Sequence, residues 1–177
     1  MLDVSVSYNR YRFLGAEFLT WVWYVIERDR GQIKVPENMR GILTVGNRVV
    51  IENSRNDTVQ QITIRGDNAD MGEGMLALKK GGLATKLSLE YTLGEQEWRF
   101  TLKGDSLDVT GLKTPTVAPV ETSDEIEGAA LEKTALCEVV IDLVDALFNR
   151  FIKLRVSDDW ENEVVPKIRK WIMDAKT

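Results

Sequence analysis

Apolar positions along the chain change period several times, and each change predicts an element. From about residue 9 to residue 30 they recur at helical spacing. Leu14, Phe18, Trp21, Val22 and Val25 form one stripe, and Phe13, Leu19, Trp23 and Ile26 widen it. A stripe that wide predicts a helix buried on more than one side and stopped near Gly31, with Trp23 and Tyr24 as candidates for contact with a second subunit. Residues 2–7, just before it, alternate as a short strand would.

Strand-like periods follow. "RGILTVGNRVVIENS" reads as two β-rich runs separated by Gly46-Asn47, the signal for a two-residue hairpin turn, and "TVQQITIR" adds a third run. A short helix over about residues 70–80 comes next, with acidic starts at residues 67–70 and Gly81-Gly82 as its stop. Then "GGLATKLSLEYTLGEQEWRFTLKGDSLDVTGL" supplies three strands with one wet face. Leu83, Thr85, Leu87, Leu89 and Tyr91 oppose Ala84, Lys86, Ser88 and Glu90, because successive strand side chains alternate faces. Trp98, Phe100 and Leu102 oppose Glu97, Arg99, Thr101 and Lys103; Leu107 and Val109 oppose Ser106, Asp108 and Thr110.

Beyond the prolines at 115 and 119 a long helical pattern begins, capped by Ser123 or Asp124, with Leu136, Val140, Leu143, Leu147 and Phe151 as its stripe. A last helical segment, residues 159–175, carries Trp160, Val164, Ile168, Trp171 and Ile172, with Pro166 as a kink or a late start. The expected architecture is α+β. Antiparallel sheets of about six strands in two meanders pack against a long N-terminal helix and one or two long C-terminal helices. With 177 residues, 44% of them hydrophobic, the expectation is a single domain over residues 1–177, with residues 153–177 a helical extension.

Composition removes most chemistry. The chain has no histidine, which takes away the usual general base and the commonest metal ligand. Cys137 falls between Leu136 and valines and reads as a buried structural thiol with nothing to activate it. No phosphate-cradling glycine motif occurs. Glu97 and Arg99 with Glu90 on the adjoining strand are the nearest approach to a metal-dependent nuclease, and mixed charges on a wet sheet face more often pair with each other. No catalytic residue, metal site or cofactor is expected. The most apolar segment, residues 13–26, contains Glu17 and is too short to span a bilayer, so no membrane partner is expected either and a cytoplasmic setting is.

What remains is charge. The formal net charge of −5 argues against a nucleic-acid partner until its distribution is read. Residues 1–115 hold 15 bases and 15 acids, while residues 121–145 hold one base, Lys133, and eight acids. The acidity is local. Lys79 and Lys80 end the short helix, Lys86, Arg99 and Lys103 share the wet face, and Lys113 lies just beyond. Two readings stand: a solvated face balanced by Glu90 and Glu97, or contact with a phosphate backbone, which needs cations spread along a surface and no base-reading residue.

The run "GGLATKLSLEY", the later "GDSLDVTGLK" and the helix containing "LCEVVIDLVDALFNRF" resemble the C-terminal half of the recombination-associated protein RdgC family, with "FLTWVWYVIE" similar in kind. The resemblance covers roughly residues 18–151 and implies a homodimer that binds duplex DNA without sequence preference, is nucleoid-associated and acts on a recombinase. Lys86 matches the family lysine of the "TKL" run; Lys80, Arg99, Lys103 and Lys113 join it as candidate DNA contacts from the alternation argument. The family's N-terminal half, which helps close a ring, is not matched. The alternative is a scaffold module that dimerises through Trp21, Trp23, Tyr24, Trp160 and Trp171 without binding DNA.

Overall fold

A computed structural model describes residues 4–29, 32–34, 40–55, 58–65, 71–119, 122 and 125–175. The fold is α+β, with one antiparallel six-stranded sheet and its helices gathered against a single face of it. Helix α1 (Val4–Arg28) is followed by β1 (Gln32–Lys34), β2 (Arg40–Arg55) and β3 (Thr58–Arg65). Helix α2 (Met71–Lys79) leads into β4 (Leu83–Leu93), β5 (Gln96–Lys103) and β6 (Val109–Lys113). Helix α3 (Glu125–Arg155), a π-helical turn (Trp160–Val164) and α4 (Val165–Asp174) complete the chain.

The sheet order is β1-β2-β4-β5-β6, with β3 beside β2 on the same edge as β1. The predicted hairpin at Gly46-Asn47 does not form. Residues 40–55 run through it as one strand, because both halves of β2 find non-local partners. Strand β4 pairs along one side of β2, while β1 and then β3 pair along the other. The local turn signal survives only as a register shift between Val45 and Val49, where a Cβ on Gly46 would come within 2.8 Å of the Ser88 hydroxyl. The two expected meanders are therefore one sheet sharing β2. Strand β1 had no signal in the sequence, and the strand expected at residues 2–7 is helical from Val4 onward.

Two further corrections concern alternation. Ala84 is fully buried rather than wet, because the β2–β4 register slips between Val50 and Ile51 and puts Ala84 opposite Ile51. The Ala84 amide donates to the hydroxyl of Thr20 on α1 at 3.0 Å, and that hydroxyl donates to the Ala16 carbonyl at 2.8 Å. The third strand begins only at Val109, since Leu107 takes a left-handed φ of 58° in the turn before it.

Helix α1 is buried on every side from Phe18 to Ile26. Its inner side lies on the sheet. Its outer side is covered by α3, through Phe18 against Phe148 (5.2 Å) and Phe151 (5.4 Å), and by the C-terminal segment. The predicted α3 stripe of Leu136, Val140, Leu143, Leu147 and Phe151 is buried throughout, and the Trp98 indole donates to the Leu136 carbonyl at 2.8 Å, fixing α3 to β5. Cys137, expected to be buried, is half-buried at the margin of that stripe. The predicted stops and caps at Gly31, residues 67–70 and residues 123–124 lie outside the described residues. Gly81 does end α2: it has φ 87°, and Gly82 donates to the Ala77 carbonyl at 3.0 Å. No helix of the described residues is long and apolar enough to cross a membrane.

Where α1 meets the β5–β6 turn, two glycines touch, and a Cβ on Gly15 would lie 1.5 Å from the Gly104 carbonyl oxygen. Neither backbone can withdraw without disturbing the helix or the turn. Gly15→Ala is expected to destabilise the protein by about 1–3 kcal/mol, measured as a lowered denaturation midpoint, although alanine is the better helix former. A neutral or stabilising result would contradict this packing.

Candidate nucleic-acid interface

Among the described residues the buried aromatic rings lie on the helix side of the sheet, and the opposite face is mostly polar, with Val50 fully buried within it. Which residues share that open face follows from register. Val49 and Ile51 are in the core, so Arg48 and Val50 point the other way. Val50 pairs with Lys86, and Lys86 pairs with Lys103. Arg48 pairs with Arg65 on β3.

Three pairs of like charge therefore stand directly opposite each other on neighbouring strands: Arg48 with Arg65, Lys86 with Lys103 and, at the far end of the face, Arg99 with Lys113, where Glu90 and Glu97 bridge the arginine. Arg48 and Arg65 are exposed; Lys86 and Lys103 are half-buried. Of the four, only Lys103 has a carboxylate within ion-pair range among the described residues, Asp108 at 3.9 Å. Like charges set opposite each other in a sheet destabilise it, by amounts comparable to the roughly 0.2–1 kcal/mol that a favourable pair contributes. The first two pairs, side by side, form a strip across β3, β2, β4 and β5 that an external anion would relieve.

The other predicted contacts separate from this strip. Arg99 is held by two carboxylates, Glu97 at 2.5 Å and Glu90 at 3.5 Å, so its charge is already compensated. The same bridge occupies the carboxylates that a metal-dependent nuclease would need. Among the described residues no cluster of three or more potential metal-ligating side chains occurs. Lys113 is exposed opposite Arg99 on β6, at the compensated end of the face. Lys80 closes α2 in the helix layer, where its carbonyl accepts from the Asn53 amide at 2.9 Å. The Lys79 ammonium donates to the Ala175 carbonyl at 3.0 Å. Of the five predicted residues, the structure brings together Lys86 and Lys103; it leaves Arg99 and Lys113 at a neutralised corner and Lys80 off the face.

Arg48 and Arg65 were not anticipated. The sequence sets Arg48 at the start of the run that carries Val50, but no local signal reveals that Arg65 lies opposite it or that both share a face with Lys86. Absent from the open face, among the described residues, is any aromatic ring.

The aromatics proposed for a subunit contact are used inside the chain. Trp23 and Tyr24, 1% and 5% exposed, meet Trp171 edge-on at 5.8 and 5.6 Å. Trp160 packs on Phe151 at 5.4 Å. A cleft of about 420 Å³ lies between α1, the Gly81–Gly82 turn and α4. Of the two carboxylates that line it, Glu17 is tied to Arg155 at 2.8 Å and Glu161 is exposed. Compared with known proteins, the chain matches no family and no curated relative.

Proposed function

We propose that the protein is a non-enzymatic, sequence-independent binder of duplex DNA that engages the phosphate backbone with the open face of its sheet. The observation that carries this reading is the pairing of Lys86 with Lys103 beside Arg48 with Arg65, four cations facing one way at a cost in folding stability. Backbone contact requires only such a surface, whereas reading bases requires a helix or ribbon that enters a groove. Single strands are held by stacking on aromatic rings, and the described part of this face offers none. The net charge of −5 is no obstacle, because the excess of acids is concentrated in residues 121–145. The RdgC-like resemblance implies the same ligand.

Fluorescence anisotropy with a short labelled duplex over a salt series tests the proposal. The four cations predict that log affinity falls against log salt, with a slope of about −3.6 where each meets its own phosphate and about −1.8 where each opposed pair shares one, equally for unrelated sequences. Absence of binding at low salt, or binding indifferent to salt, would contradict it.

A further inference from the structure

We infer that the strip consists of two separate phosphate clamps, Arg48 with Arg65 and Lys86 with Lys103, spaced to hold the two phosphates that face each other across the minor groove of B-form DNA. This rests on the proposed DNA binding and adds to it which part of the duplex is held. Two cations directly opposite on adjacent strands are near enough to share one phosphate, which would cancel the repulsion each pair carries.

The distance between clamps follows from the register. The midpoint of the arginine pair lies between β3 and β2, and that of the lysine pair between β4 and β5, two strand spacings away. Val50, opposite Lys86, is two residues along β2 from Arg48. With strands about 4.8 Å apart and alternate residues about 6.8 Å apart, the midpoints are roughly 12 Å from each other. A B-form minor groove is about 6 Å wide between phosphate surfaces, so phosphate centres on its two walls are also about 12 Å apart. An A-form RNA duplex has a wide, shallow minor groove and a narrow major groove, and neither presents this spacing.

Two measurements decide the matter. First, B-form DNA and A-form RNA duplexes of equal length and charge are compared by salt-dependent anisotropy. DNA is expected to bind at least tenfold tighter and to show a slope steeper by about 0.9, since RNA would engage one clamp at a time. Second, the double variants Arg48→Gln/Arg65→Gln and Lys86→Gln/Lys103→Gln are each expected to flatten the DNA slope by about 0.9 and to abolish the preference over RNA. Removing pairs of opposed like charge should leave the fold intact, which circular dichroism checks. Equal affinity and slope for DNA and RNA, or an arginine variant that keeps the full slope while the lysine variant loses it, would overturn the two-clamp arrangement and leave DNA binding standing. Binding to no nucleic acid would remove both.

Discussion

Replacing Lys86 with glutamate is expected to make the protein slightly more stable while removing most of its affinity for duplex DNA. In the native register Lys86 faces Lys103. The substitution turns a repulsive cross-strand pair into an attractive one, a change of up to about 1 kcal/mol. For a chain of this size that corresponds to a rise of about 1–4 °C in melting temperature. Binding should move the other way. One phosphate contact is lost and a carboxylate is set against the backbone, so affinity should fall tenfold or more and the salt slope should flatten by at least 1. Lys103→Glu should behave alike, tempered by Asp108 at 3.9 Å. Thermal melting and anisotropy on the same preparations check both halves. If stability and affinity were both unchanged, the two lysines would be ordinary solvated side chains.

The second large effect lies in the core. Phe151 is fully buried and joins three parts of the chain. Its ring lies 5.4 Å from Phe18 and 5.7 Å from Trp21 on α1, 6.2 Å from Phe148 on α3, and 5.4 Å from Trp160 in the π-helical turn. Truncation opens a cavity among rigid rings that cannot collapse into it. Phe151→Ala is expected to cost about 3–5 kcal/mol, a large share of the roughly 5–15 kcal/mol that holds a domain folded. Urea denaturation should show a lower midpoint with an unchanged slope. A loss below about 1.5 kcal/mol would mean that the C-terminal segment does not close over α1 as described.

The helices were legible because their signals are long and local. The stripe from Leu136 to Phe151 repeats over more than four turns, and Phe18 to Ile26 is apolar almost without interruption, so burial on more than one side follows from the residues themselves. Strand β5 was legible for the same reason, with Trp98, Phe100 and Leu102 buried and the residues between them wet. The failures occur where a non-local partner outbids a local signal. Gly46-Asn47 is a good hairpin turn in isolation, yet pairing with β4 and β3 carries the strand straight through it. Ala84 turned inward because of a register slip that is set by β2, some thirty residues earlier in the chain.

The candidate site divides along the same line. That Lys86, Arg99 and Lys103 share a face could be read from alternation within two strands. That Lys86 and Lys103 are directly opposed, that Arg99 is bridged by Glu90 and Glu97, and that Arg48 and Arg65 extend the strip all depend on register between strands, which alternation does not determine. Lys80 was grouped with the face by proximity in sequence, but the turn after α2 leaves it in the helix layer.

On the proposed function, the helix-free face of the sheet is the surface that meets DNA. Amide chemical-shift mapping of isotope-labelled protein titrated with a short duplex at low salt tests it most directly. The expected result is a set of perturbations centred on Arg48, Arg65, Lys86 and Lys103 that fades as salt is raised. Perturbations confined to α3 and α4, with those four amides unmoved, would contradict it.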